Sequence, residues 1–503
     1  MFSRKRALFT LLITVFVVLL TGVSYAEKDT LIVGSQYDAK TLDPIATNDL
    51  ATSGACMAIY EKLLIWDDLT GEIKPGLAEK WEQIDSKTYK FYLRKGVKFH
   101  NGETLKASDV KFTFERARGP LGGSVRTYVS SIETIEVLDD HTFIMKLNKV
   151  FTPLLVALSH TSGSIVNEKA VTEAGINYGM NPVGTGPFKM VSWTKGDRIN
   201  LVRFEEYHGE KPKYKNLILR VVVEPVARVI ELETGALDIA YYITPNDRFR
   251  VEENPKLTLL RKKDFSTHYV GINFARPPLD NPKVREAIYL ALDTQGMQKA
   301  IYRGVGSLPT SQFPPSQRYF DESLKPHVQD IEKAKQLLKE AGVGKLKLEL
   351  WTDEAYERVA AATMTQAQLA EVGIDVELKV FEWGAFMEGL KQKRQDLYTM
   401  SWTAAPDPDF SVAGVFHSSM IGGTNRSNVN DPELDAMIEQ GAQMADGPER
   451  EALYHKIQNR IVNELRPWMY ITNDELLVGT QKNVKGFHIS PLGYHNVNEV
   501  YFE

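Results

Sequence analysis

The stretches LKLEL (346–350), YERVAAATMTQAQLAEV (356–372), IDVELKV (374–380), WGAFMEGLKQK (383–393) and DLYTMSW (396–402) follow one another almost without interruption, and their reading decides the fold. Leu346, Leu348 and Leu350 alternate with charged residues, as do Ile374, Val376, Leu378 and Val380. That period of two belongs to half-buried strands. The two segments between the strands carry their apolar residues at helical spacing. Strand–helix alternation of this kind predicts a mostly parallel sheet with covering helices.

Toward the N-terminus the pattern is more mixed. Leu31-Ile32-Val33 is a short β run, and Ala51 to Leu64 is expected to be a helix with Asn48 or Asp49 near its start. Tyr89 to Leu93 alternates as a strand, and Asn101-Gly102 is a strong turn signal after it. Ser108-Asp109 opens an amphipathic helix carrying Val110, Phe112 and Phe114. Thr134 to Val137 and Thr142 to Met145 bracket Asp139-Asp140 as a strand pair. No fixed-period repeat, low-complexity tract or long flexible linker interrupts the chain, so separate lobes would be joined by short ordered crossings.

The first residues read as an export signal. Arg4, Lys5 and Arg6 precede an apolar run from Ala7 to about Leu20, and Ser24-Tyr25-Ala26 gives a small-x-small exit. The apolar run is shorter than a spanning helix needs, so cleavage is expected near Ala26. Cys56 is the only cysteine. It permits no internal disulfide and lies far past the cleavage point, where no lipid anchor would be built. These features predict a free periplasmic protein, not lipidated. The net charge is −5, and no long basic block is present, which argues against nucleic acid or anionic membrane as partners. At 503 residues, the chain exceeds one compact core, and two or more lobes are expected.

No arrangement of reactive residues makes a convincing enzyme, and no cofactor is expected. There is no Gly-x-Ser-x-Gly elbow, no paired-histidine zinc helix and no possibility of a CxxC site. Val183-Gly184-Thr185-Gly186-Pro187 lacks a third glycine and runs into the strand-like Phe188 to Val191, unlike a phosphate loop. Asp67-Asp68-Leu69-Thr70-Gly71 has calcium-loop composition without the spacing, and is expected to be a hairpin turn. His488 and His495, seven apart, form a weak metal-ligand pair. Asp407 and Asp409 alternate with Pro406 and Pro408. Rigid-loop shaping or acceptance of a cationic ligand explains them better than acid–base catalysis.

Longer motifs are more specific. Pro75-Gly76-Leu77-Ala78-Glu79-Lys80-Trp81 leads through Asp85 to Arg94, then Gly96 to Glu103 (GVKFHNGE), and on to Ala107-Ser108-Asp109-Val110. Asn181 to Phe188 (NPVGTGPF), Gly271 to Phe274, Pro278 to Ile288 and Asn425 to Asp435 add further matches over nearly the whole chain. Together these resemble the family 5 extracellular solute-binding proteins, the peptide- and nickel-type (cluster C) receptors of ATP-driven importers. The resemblance implies an α/β, two-lobed periplasmic binding protein type II fold with an extra subdomain in the first lobe. The implied division is a leader at 1–26, lobe I at 27–265 and 483–503 with the subdomain at about 61–180, and lobe II at 266–482. Hinge strands are expected around Phe265 to Phe274 and Leu477 to Lys482. The implied partners are a small-molecule or peptide ligand and the ABC permease subunits of the inner membrane. The receptor itself is expected to be a monomer.

By the same resemblance the ligand-binding candidates are Thr47, Asn48 and Asp49 from the first lobe and Trp402, Thr403, Ala405, Asp407 and Asp409 from the second. Tyr356 and Arg358 lie in a segment that contacts a ligand carboxylate in some relatives, and arginine suits bidentate carboxylate binding. Blander readings stand beside these: helix capping for Thr47 to Asp49, and strand packing for Trp402. Where many peptide receptors place an aspartate for the ligand's α-ammonium, this chain has Ala405. Either Asp407 or Asp409 substitutes, or the ligand carries no free amine there. A peptide or peptide-like ligand is expected. A metal chelate, a haem-like compound or an oligosaccharide is the alternative, and a periplasmic hydrolase a distant one.

Overall fold

The computed structural model describes residues 28–46 and 49–503. The leader expected over 1–26 and the candidates Thr47 and Asn48 lie outside these residues. Among the described residues no helix is long and apolar enough to cross a membrane.

The chain enters as strand β1 (Thr30–Ser35), whose Leu31 and Val33 are buried. A helix follows at Leu50–Ile59. It stops short of the expected Leu64, because Tyr60 turns extended and donates its hydroxyl to Leu42 O at 2.8 Å. The next backbone groups pair instead with Gly76 to Ala78, for example Leu77 N to Lys62 O at 2.9 Å. The apolar pattern runs on through Leu63 and Leu64 because both are buried in the next core. A hairpin of β2 (Leu64–Trp66) and β3 (Ile73–Pro75) turns over Asp67 to Gly71.

A subdomain comes next. Strands β4 (Ala78–Asp85), β5 (Thr88–Leu93), β6 (Ile132–Asp139) and β7 (Thr142–Leu147) form an antiparallel sheet in the order β4-β5-β7-β6. Phe91 faces Phe143 across the β5–β7 ladder with ring centroids 5.2 Å apart. The helix Ala107–Arg118 lays Val110 and Phe114 on the same core. The glycine-rich segment at 183–187 is a close crossing: a Cβ on Gly184 would lie 2.0 Å from Ile59 O, and one on Gly186 2.6 Å from Ile59 C. Only a residue without a side chain fits at either point.

The main sheet has ten strands. To β1 it adds β8 (Phe188–Thr194), β9 (Arg198–Arg203), β10 (Asn216–Val221), β11 (Ile239–Ala240), β12 (Leu257–Ile272), β13 (Leu346–Asp353), β14 (Ile374–Phe381), β15 (Leu397–Thr403) and β16 (Trp468–Gln481). Their order is β14-β13-β15-β12-β16-β11-β1-β10-β9-β8. A short pair, β17 (Val484–Lys485) and β18 (Tyr501–Phe502), closes the chain. The expectation of a mostly parallel sheet needs correction. Parallel pairing holds for β13 with β14 and β15, and for β1 with β10 and β11. The other pairs are antiparallel. Local alternation shows the helix-linked strands but not the two long strands that run back between them.

Those two strands join the halves of the protein. β12 has 16 residues and β16 has 14, about three times the usual strand length of 5–6 residues. Leu257 to Lys263 pair with Gln481 to Glu475 on the side of β11 and β1. Thr267 to Gly271 pair with Asn473 to Trp468 on the side of β15. Between them, from Lys263 to Thr267, the register shifts. Asp264 fills the break: its carboxylate accepts Ser266 N and Ser266 Oγ, each at 2.8 Å. Ser266 Oγ also meets Thr403 Oγ1 at 2.7 Å, and His268 Nε2 lies 3.1 Å from Asp474.

Burial first, and then the nearby Asp474 charge, push the Asp264 carboxyl up to about 8. A carboxyl raised above its unfolded value keeps its proton in the fold while the unfolded chain ionises. Stability from this group is therefore full below about pH 4 and declines as pH rises toward 8. Asp264→Asn is expected to gain melting temperature relative to the native protein between pH 5 and pH 8. A difference in melting temperature that stays flat over this range would show that Asp264 is already ionised in the fold.

Candidate functional site

A cluster of side chains sits at the break in the long strands. Phe265, Ala404, Leu492 and Tyr494 are buried there, with Leu50, Met57, Trp66 and Trp402 half-buried around them. Their origins are far apart. Leu50 and Met57, seven residues apart and so on one face, come from the helix Leu50–Ile59. Asp49 caps that helix, accepting Thr52 N at 3.0 Å. Trp66 ends β2, Phe265 lies in the break of β12, and Leu492 and Tyr494 come from the C-terminal segment. Trp402 stands opposite Thr267 near the end of β15, and its Nε1 donates to Phe410 O at 3.3 Å.

A second layer of rings backs this cluster. Tyr128 stacks on His160 at 4.0 Å and 7°, and Phe410 tilts against Tyr128 at 5.0 Å. His160 meets Tyr494 edge-on at 6.2 Å. Burial pushes His160 down to about 3, so the stacked imidazole is neutral, and lifts the Tyr128 phenol to about 12. Lys62 and Asp68 stand beside the rings. Burial lowers Lys62 to about 8 and raises Asp68, which receives a Ser490 hydrogen bond. A cavity of about 60 Å³ lies on the β1 side of the cluster, lined among others by Tyr37, Leu50, Met57, Tyr242 and Tyr494. Tyr37 and Tyr242 meet edge-on at 5.5 Å. Across from them Arg358 is close enough for its charge to act on Tyr37.

The expected site residues divide. Trp402 is in the cluster, and Thr403 is held by Ser266. Asp49 serves as a helix cap. Tyr356 is 67 % exposed at the start of the helix Tyr356–Glu371. Arg358 pairs bidentately with Asp353 at 2.5 and 2.6 Å and faces the Trp383 ring. Ala405 is buried against the subdomain core, its carbonyl accepting Gln317 Nε2 at 2.8 Å. Asp407 is buried and grips Arg450 at 2.9 and 3.0 Å. Asp409 is also buried. Burial and the Asp407 charge push its carboxyl up to about 7, and Tyr454 donates to it at 3.4 Å.

Lys62, Trp66, Asp68, Tyr128, His160, Phe410 and Tyr494 were not singled out from sequence as ligand contacts. No local pattern marks them, because five separate segments converge. His495 is buried with Nδ1 accepting Ser490 N at 3.2 Å, and its ring lies edge-on to Tyr241. Among the described residues no group of three or more potential metal ligands is gathered.

Comparison with known proteins gives these features a context. A family model described as bacterial extracellular solute-binding proteins, family 5 middle, matches residues 72–423. The dipeptide-binding protein of Escherichia coli K12 is 29% identical over 519 residues, covering 97% of each chain. Heme-binding protein A of Haemophilus influenzae is 28% identical over 467 residues, covering 87% of this chain and 85% of that protein. Among solved structures, the ABC transporter-associated periplasmic binding protein DppA of Helicobacter pylori, in complex with the peptide STSA, superposes with a TM-score of 0.86. It is 28% identical and covers 95% of this chain and 98% of that one.

The loop after β15 owes its position to the Asp407–Arg450 pair, in which both side chains are almost fully buried. Breaking a buried pair leaves an uncompensated charge and typically costs about 3–5 kcal/mol. Asp407→Asn is expected to destabilise the fold by about that amount in denaturant titration. Ligand affinity of the folded fraction should be unchanged. A loss of affinity with stability intact would instead make Asp407 a ligand contact.

Proposed function

The chain belongs to the family 5 bacterial extracellular solute-binding proteins, and on that premise we propose that it is a non-enzymatic, free periplasmic receptor. It captures a peptide or peptide-like ligand between two lobes and delivers it to an ABC permease. The cluster around Trp402 carries this reading, because it draws side chains from both sides of the break in β12 and β16. Only contacts made when the lobes are shut can shift an open–closed equilibrium. An aromatic-lined space with a few directed polar groups is the usual form of a small-ligand site. The relatives supply the ligand class: a dipeptide-binding protein, a glutathione-binding protein and a receptor crystallised with the peptide STSA.

In this reading the pivot lies at Asp264 to Ser266 and at Asn473-Asp474, where the register between the long strands breaks. That places the second crossing slightly before the Leu477 to Lys482 stretch expected from sequence. Trp402 supplies the second lobe's ring, while Leu50, Met57, Trp66 and Tyr494 supply the first lobe's wall. Arg358 offers the far end a guanidinium already oriented by Asp353. A haem-like or chelate ligand is the second reading, favoured by Ala405 standing where an ammonium would need a carboxylate and by the stacked rings of Tyr128 and His160.

Trp402→Ala is expected to weaken binding by about tenfold or more, measured calorimetrically with whichever compound native mass spectrometry finds co-purified. Trp402→Phe should recover part of the loss. Solution scattering should show the protein contracting when that compound is added. Unchanged affinity in Trp402→Ala would remove this cluster from the site.

A further inference from the structure

Three buried polar atoms of the cluster, Trp66 Nε1, Asp68 Oδ1 and Tyr494 Oη, have no hydrogen-bond partner among the described residues. Tyr494 is only 5 % exposed. Buried polar groups are nearly always paired, and each one left unpaired costs about 1–3 kcal/mol. Lys62 stands beside them. Among the described residues its ammonium finds one acceptor, Met57 Sδ at 3.6 Å, and thioether sulfur accepts only weakly. Asp68 acts on Lys62 from a distance, and shares its own charge with Lys262 and its hydrogen bond with Ser490.

The inventory is donor-rich. Trp66 N–H, the Lys62 ammonium and the Tyr494 hydroxyl, which can donate or accept, stand against one open carboxylate oxygen, Asp68 Oδ1. The remaining acids near Trp402 are committed elsewhere: Asp407 to Arg450 and Asp409 to Tyr454. Position 405 is apolar. An ammonium brought to this end of the cleft would meet the like charge of Lys62, and the one open carboxylate oxygen, Asp68 Oδ1, already acts on that lysine. A carboxylate would relieve the half-buried lysine and satisfy the donors together. Resting on the reading of this cluster as the ligand cleft, we infer that the ligand presents a carboxylate, and no free ammonium, to Lys62 and the Tyr494 hydroxyl. Its class is an amide-linked acid with an aromatic or apolar body, which the surrounding rings would cover.

Three probes that differ only at one end test this: Ala-Phe-Ala with its free amine, its N-acetyl form and its N-succinyl form, titrated calorimetrically. The succinyl compound is expected to bind about tenfold or more tighter than the free amine, with the acetyl compound between. Lys62→Met should abolish the advantage of succinyl over acetyl, so that the two compounds bind within about twofold of each other. Tyr494→Phe, which removes only a hydroxyl, should reduce the advantage several-fold. The inference is overturned if the free amine binds as tightly as the succinyl form, if Lys62→Met keeps the succinyl preference, or if none of the three binds. Scattering separates that failure from failure of the receptor reading. Contraction with some ammonium-bearing compound would sink the carboxylate inference alone, whereas no contraction with any compound would sink both.

Discussion

Two strands have to serve two cores, and the rest of the structure follows from how they do it. A ladder running straight through β12 and β16 would make one stiff sheet with no independent halves. The chain instead breaks register between Lys263 and Thr267, and a break leaves backbone groups that must find partners. Asp264 supplies them locally through Ser266. Pro491 O accepts Phe265 N at 3.3 Å, and Phe265 O accepts Ala404 N at 3.1 Å. The crossing is thereby tied both to the C-terminal segment and to the loop after β15. Trp402 and Tyr494 gather at Phe265 because Ala404 and Pro491, close to them in the chain, are hydrogen-bonded to its backbone. A slip of one residue would turn Trp402 to the other face of the sheet.

Charge is used differently on the two sides of this crossing. On the side of the β15 loop, Arg450 is spent on fixing Asp407, Asp446 and the Gly441 carbonyl. Burial disfavours the guanidinium, yet the neighbouring carboxylates win and hold it well above its ordinary value. On the helix side, Lys62 has no comparable partner and burial wins, drawing it down. The first arrangement is a closed network, and closed networks rigidify. The second is open, which is what a site needs if its partner comes from outside.

Much of this was legible in the sequence, and the illegible parts share a cause. The helix-linked strands β13, β14 and β15, the hairpin over Asp67 to Gly71 and the subdomain strands β5, β6 and β7 declared themselves through local period and turn chemistry, whereas β4 did not. The mixed character of the sheet did not, because pairing between residues some 200 apart, such as Leu259 with Gly479, leaves no local period. The helix end at Ile59 was missed because burial in the next core prolongs the apolar pattern. Asp407 looked available to a ligand because Arg450 lies on a helix 43 residues away. Trp402 became a candidate through a family resemblance, whereas Lys62, Tyr128, His160 and Tyr494 resemble ordinary structural residues until folding gathers them.

The loop after β15 also touches the subdomain, which in the proposed receptor would bear on how much a ligand must contribute to closure. Phe410 lies 5.0 Å from Tyr128 and 6.5 Å from Phe151. Thr152 donates its N–H to Ala442 O at 2.9 Å and its hydroxyl to Met444 O at 2.7 Å. Each such hydrogen bond is worth about 0.5–1.5 kcal/mol net, and an aromatic pair adds about as much beyond its buried area. These contacts belong to the protein and tie the loop after β15 to the subdomain through the chain's own groups. Taking a two-state equilibrium from 1:99 to 99:1 requires about 5.5 kcal/mol of differential binding. If the proposed receptor closes over its ligand, such contacts would reduce the part of the closure free energy that must come from that ligand. In that reading the open donors around Lys62 would select what is held rather than drive the lobes together.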